Sequence, residues 1–190
     1  MLTALRVLGY PVLDEADVAP RTLPNSFAAP EHWALAVQLG FLGNRLLAVL
    51  RIREEQGGIV FIERSVSEDA IFFQRWAERV KLPLDVVSAY YRLHLEASRM
   101  ARPDAYVHLS ADSEVCATRI LEDQRQGKRP KIWSTFDDIL EYVEDLRVRY
   151  RIWEGSLLFD SKLVFTPGHN STIEESVVLI QRWLSEVVRA

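Results

Sequence analysis

Glu63, Arg64 and Ser65 follow the apolar run Ile59-Val60-Phe61-Ile62 and precede Ser67-Glu68-Asp69, which leads into Phe72 and Phe73. A continuous apolar run of that length reads as a buried strand. In a parallel sheet, ligands bind at the carboxyl ends of the strands, so Glu63 and Arg64 are delivered to a site edge. Gln38 and Arg45 stand seven positions apart in a long helical pattern, two turns that place them on one face. An amide carries a donor and an acceptor together, which suits two-point recognition of a planar polar edge. Glu15 closes an earlier β-rich run, and Arg119 and Arg125 lead into the turn Gln126-Gly127-Lys128-Arg129-Pro130-Lys131. That turn is the one local concentration of positive charge. Singly, each piece has a plainer reading: a surface pair at a strand end, two core phenylalanines, a solvated helix glutamine. Their order along the chain is what gives them weight together.

Metal chemistry has little support. His32, His94, His108 and His169 are scattered without H-x-x-x-H or H-E-x-x-H spacing, so no metal site is expected. The single cysteine, Cys116, falls in a helical pattern and reads as a core thiol. With 190 residues, 48% hydrophobic and 26% charged, the chain reads as one soluble domain over 1–190. A formal charge of -4 supplies no global field for nucleic acid, and no stretch approaches the roughly 20 apolar residues of a membrane span. The first ten residues lack the pattern of a secretory signal or transit peptide. A cytoplasmic setting is the expectation, with a mitochondrial one as the alternative.

The elements that must position these residues alternate. Strands are predicted over 10–14, 58–63, 105–109 and 163–166, and helices over 32–55, 68–80, 84–100, 113–126, 136–153 and 173–188. Apolar runs without alternation fit strands covered on both faces, so the fold class is α/β, a parallel sheet with helices on both sides. Ser113 is placed to cap the helix it begins, and Pro83, Pro103 and Pro167 fall at expected boundaries.

The Glu63-Arg64-Ser65 segment resembles the Asp/Glu-Arg-Ser motif of the deoxynucleoside kinases, of P-loop NTPase fold. The likeness continues through Glu15, Pro30-Glu31-x-Trp33, Gln38, Arg102-Pro103-Asp104 and Arg119-Ile120, and so covers nearly the whole chain. Thymidylate kinases share that fold but lack this arrangement of Gln and Asp. The resemblance implies phosphoryl transfer from ATP, with Mg2+, to the 5'-hydroxyl of a deoxynucleoside. It implies that Glu15 takes the hydroxyl proton, that Arg64 holds that region and the incoming phosphate, and that Gln38 reads a base edge. Arg45 would pair with Asp69 beside the base, and Phe73 would offer it a stacking surface. Trp33 and Glu63 would belong to the substrate side, and Arg119, Arg125 and Arg129 to a phosphate-neutralising lid. A homodimer through the helices 32–55 and 84–100 is implied as well, whereas a non-catalytic role would make the chain a subunit of a larger assembly.

The chain departs from the family's pattern in five places. No G-x-x-x-x-G-K-[ST] loop occurs in the 190 residues: the only Gly-Lys pair, Gly127-Lys128, has Glu122 where the first glycine should be. Met1 to Tyr10 reads as the helix that normally follows that loop, so the chain begins just past the donor site and is N-terminally incomplete as a kinase domain. The central first strand, between the strands ending at Glu63 and Leu109, is then missing. A gap, a foreign segment or direct pairing of those two strands is expected in its place. Ala16 replaces a proline, Phe27 and Lys128 stand where a tyrosine and a glutamate bind the sugar 3'-hydroxyl, and Asp123 makes the lid locally acidic. The 190 residues by themselves are expected to be inactive. The rival reading is a non-catalytic nucleoside-binding or scaffolding subunit.

Overall fold

The structure is a computed structural model. It describes residues 1–55, 57–109, 111–155, 164–165 and 172–187, the side chains of 26, 27, 164, 165 and 187 excepted. By its internal contacts the chain divides into two compact units, Met1–Pro103 and Asp104–Ala190.

The first unit runs α1 (Leu2–Val7), β1 (Val12–Leu13), α2 (Glu15–Val18), α3 (Leu23–Ala28), α4 (Pro30–Glu55), β2 (Phe61–Ile62), a 3-10 turn (Val66–Glu68), α5 (Asp69–Val80) and α6 (Leu84–Met100). The second runs β3 (Tyr106–Val107), α7 (Ser113–Arg125), α8 (Phe136–Glu154), β4 (Val164–Phe165) and α9 (Ile173–Val187). β1 pairs with β2 in parallel, Val12 opposite Phe61, and β3 with β4 in parallel, Tyr106 opposite Val164. The fold class is α/β with parallel pairing, as the alternation of elements required. Among the described residues the ladder partner of β2 is β1 and that of β3 is β4.

Three local expectations are corrected. Strands expected to be covered on both faces are two residues long, and the side chains of β1, β2 and β3 are half-buried. Among the described residues each sheet has two strands. Glu15 does not end a strand; it is the first residue of α2, because Asp14 caps that helix through its Oδ1, which accepts from the amides of Ala16 and Asp17 at 3.0 and 3.3 Å. Asp112, not Ser113, holds the cap position of α7, and the Ser113 Oγ instead accepts from Arg147 Nη1 at 3.4 Å. Residues 163 and 166 of the fourth predicted strand, residue 188 of the last helix and the Phe27 side chain lie outside the description.

α4 is the spine of the first unit. Pro30 opens it at the position where a missing amide hydrogen costs nothing, and Glu31 complements the positive end of its dipole. Gly40 lets Pro20 approach so closely that a β-carbon there would lie 2.7 Å from the Pro20 Cβ. By length and composition alone α4 could cross a membrane, against the expectation that no stretch comes near such a length. Here its apolar residues Leu42 and Val49 join Val66, Phe73, Ala77, Tyr90, Ala97 and Ala101 in one core with α5 and α6, and Val37 and Phe41 join a second with Val18. Polar Gln38 and Arg45 are buried on the same helix, as a core helix that also serves a site requires. In the second unit, Ala117 of α7 and Ile139 of α8 are fully buried, and α8 starts from a Thr135–Asp138 capping box with bonds of 3.0 and 3.1 Å. Cys116 is half-buried.

Candidate active site

The parallel pairing of β1 with β2 puts the residues after both strands at the same sheet end. Glu15 follows β1 and Glu63-Arg64 follow β2, and the two segments are tied together there. The Glu15 amide donates to Glu63 Oε2 at 2.9 Å, and Arg64 Nη1 donates to Glu15 Oε1 at 2.8 Å. That ion pair is one-third exposed on both sides, at 32% and 34%. Glu15 Oε2 has no partner among the described residues, so one oxygen is free to take a proton.

Arg64 sits in the left-handed backbone region at φ 61°, a conformation that costs a non-glycine residue on the order of 1 kcal/mol. It reverses the chain directly after β2, aiming the guanidinium back toward Glu15. The guanidinium carbon also lies 4.3 Å from the Phe72 ring centroid, a cation–π contact. Ser65 then starts the 3-10 turn, its amide donating to Glu68 Oε1 at 2.8 Å and its Oγ within 2.7 Å of Ser67 Oγ.

Behind this exposed pair lies a buried one. Arg45 Nε faces Asp69 Oδ2 at 3.3 Å, with 1% and 4% of the two side chains exposed, and Arg45 Nη1 donates to the Glu63 carbonyl at 2.9 Å. Asp69 is thereby linked through Arg45 to the same strand end. Burial pushes the Asp69 carboxyl up to about 6, outweighing the Arg45 charge and hydrogen bond that pull it down. Gln38, two turns before Arg45 on α4, is buried, and no described residue hydrogen-bonds its amide.

Phe73 is placed differently from its expected role. It is 0% exposed, and Tyr90 of α6 lies flat against it with ring centroids 3.5 Å apart and planes 9° apart. That face is closed to a base, and Phe73 stands in the core. Trp33 is exposed at the start of α4, and five residues of helix turn it away from the Gln38–Arg45 face. Arg119, Arg125 and Arg129 are exposed in the second unit, the first two on α7 and the third in the turn that follows Gly127, whose φ is 69°.

Sequence reading missed three participants. Phe72 supports Arg64, Tyr90 backs Phe73, and His94 Nε2 donates to the Val66 carbonyl at 2.9 Å, its burial keeping the ring neutral. Tyr90 and His94 are one turn apart on α6, the spacing that could have marked them as a buried polar pair.

The deoxynucleoside kinase family model matches residues 6–184. The chain is 26% identical to a deoxyguanosine kinase of Lactobacillus acidophilus over 160 residues, 81% of this chain and 68% of that protein. It is 27% identical to a deoxyguanosine kinase of Lactobacillus johnsonii over 159 residues, 80% of this chain and 68% of the other. Its fold is similar to that of a deoxyadenosine kinase from M. mycoides solved with bound dATP, at a TM-score of 0.74 and 15% identity, covering 97% of this chain and 92% of that one. With its parallel strand ends, its Glu-Arg-Ser segment and a family match along almost its whole length, the chain belongs to the deoxynucleoside kinases, a family whose reaction takes a nucleoside triphosphate donor and a deoxynucleoside acceptor.

Proposed function

We propose that this chain carries the acceptor half of a deoxynucleoside kinase site, serving phosphoryl transfer from ATP to the 5'-hydroxyl of a deoxynucleoside. The observation that carries the reading is the Arg64–Glu15 ion pair at 2.8 Å, set at the carboxyl ends of two parallel strands beside the buried Arg45–Asp69 pair. Glu15 Oε2 receives the proton of the 5'-hydroxyl as its oxygen attacks the terminal phosphorus and the nucleoside diphosphate leaves. Arg64 holds Glu15 in place and neutralises charge arriving with the phosphoryl group. Gln38 presents its uncommitted amide to the base, beside Arg45 and Asp69.

The donor side is more thinly represented. Arg119, Arg125 and Arg129 suit charge neutralisation on phosphate, but none of the 190 residues forms the G-x-x-x-x-G-K loop that cradles it. Among the described residues no cluster of three His, Cys, Asp or Glu could hold a metal. Mg2+ would come with the donor and offset the charge of its phosphates. Self-association belongs to the same reading, with exposed Leu39 and Leu47 on α4 and Leu93 and Leu95 on α6 available for it.

Calorimetric titration of the chain with the four common deoxynucleosides tests the acceptor site. At least one should bind, Gln38→Leu should weaken it about tenfold through loss of the amide's hydrogen bonds, and Glu15→Gln should leave binding in place. Absence of binding to all four would refute the reading. Phosphoryl transfer is not expected of the 190-residue polypeptide alone, and its detection would mean that other residues hold the donor.

A further inference from the structure

Tyr90 is a buried polar group that the chemistry above does not use. It is 2% exposed, and its hydroxyl is enclosed with no hydrogen-bond partner among the described residues. Native interiors pair nearly all such groups, so an orphan calls for an explanation. Its place gives one. The Tyr90 ring lies flat on Phe73, and Phe73 stands four residues after Asp69 on α5, on the same helix face. Tyr90 therefore stands near the Arg45–Asp69 pair, within range of the charges of both. Asp69 is only partly satisfied there. Its contact to Arg45 Nε is 3.3 Å, long for a charge-assisted bond, and Arg45 Nη1 is committed to the Glu63 carbonyl. Burial, and after it the negative charge of Asp69, oppose loss of the phenolic proton, so Tyr90 remains a donor.

We propose that Tyr90 is a positioning residue for acceptor recognition: its hydroxyl, uncommitted in the ligand-free chain, hydrogen-bonds the Asp69 carboxylate when a nucleobase engages the Arg45–Asp69 pair. The inference rests on the acceptor-site reading above. An orphan donor beside a half-satisfied acceptor stores a cost in the free chain that is recovered on binding, which favours the bound arrangement. The groups that bear on Asp69 are Arg45 from α4, Arg64 and Glu68 from the segment before α5, and Tyr90 from α6. Tyr90 is the one of these whose donor is without a partner among the described residues.

Tyr90→Phe removes the hydroxyl and keeps the ring on Phe73. The ligand-free variant should be as resistant to urea as the wild type or more so, because it loses an unpaired buried group. Its affinity for the preferred deoxynucleoside should fall roughly tenfold, the scale of one hydrogen bond to a charged group. The acid limb of binding against pH should move to higher pH, because Asp69 loses a donor that favours its ionised form. A hydroxyl with only a structural role would leave that limb where it is. Unchanged affinity and an unchanged limb overturn the inference. So does a destabilised ligand-free variant, which would mean the hydroxyl already has a partner. If the wild-type chain binds no deoxynucleoside, the acceptor-site reading fails and takes this inference with it; wild-type binding that Tyr90→Phe leaves intact removes the Tyr90 role alone.

Discussion

Replacing Asp69 by asparagine should change how the stability of this chain depends on pH, in a direction opposite to that of most ion-paired carboxylates. Asp69 is almost fully buried, and burial lifts its carboxyl from the ordinary 3.8 to about 6 against the pull of Arg45. The folded chain therefore holds this proton more tightly than the unfolded chain does. Between about pH 4 and 6 the folded state binds more protons than the unfolded state, so stability falls as pH rises. The favourable contribution is complete below about 3.8 and is lost as pH climbs through about 6. At 1.36 kcal/mol for each pH unit between the two values, the change is about 3 kcal/mol. Asparagine keeps the shape of the side chain and cannot titrate, so any constant cost of leaving Arg45 without a counter-charge cancels when only the pH dependence is compared. Urea unfolding of wild type and Asp69→Asn at intervals from pH 4 to 7.5, followed by two probes to check that one transition is observed, measures the difference. The wild type should lose about 2.4 kcal/mol relative to the variant across that range, because at pH 4 part of the full effect is already gone. Parallel profiles would refute the reasoning. A wild type that gains on the variant as pH rises would show that the Arg45 charge outweighs burial.

Arg64→Gly should be more stable than Arg64→Ala by about 1 kcal/mol in urea titration, since both lose the Glu15 ion pair but only glycine is at ease at φ 61°; equal stabilities would argue that the backbone there is not strained. Phe73→Ala should cost about 3 to 5 kcal/mol, because a fully buried ring stacked on Tyr90 is exchanged for a cavity; a loss under about 1 kcal/mol would mean that the site collapses around the gap. Gly40→Ala should cost about 1 to 3 kcal/mol by driving α4 from Pro20, and a neutral effect on the melting temperature would count against the close approach there.

Much of the architecture was legible in the residues. The parallel strand pairs, the helix Leu84–Met100 to the residue and the approach of Arg45 to Asp69 follow from periodicity, from turn residues and from the spacing of a family motif. Gln38 and Arg45 share a face because seven residues are two turns, whatever else the chain does. The short helices Glu15–Val18 and Leu23–Ala28 were not legible, because each is about a turn long and shows too little periodicity to register. The cap at Asp112 also escaped, since aspartate and serine are nearly equivalent as caps and stand next to each other.

By itself the sequence determined which residues could do chemistry, in what order, and on which helix face each would stand, because those depend only on residue type and on a repeat of 3.6 or 2. The environment of each residue was left to the tertiary structure. Phe73 reads equally as a stacking platform and as core, and only the Tyr90 ring laid flat on it decides for core. Glu15 and Arg64 are 49 positions apart, and their contact exists because β1 and β2 pair in parallel register and Arg64 turns left-handed at the strand end. Asp69 sits beside an arginine that alone would lower its pKa; the enclosing α4, α5 and α6 core raises it instead. Desolvation depends on how many atoms of distant segments surround a group, and that number is set only when those segments pack.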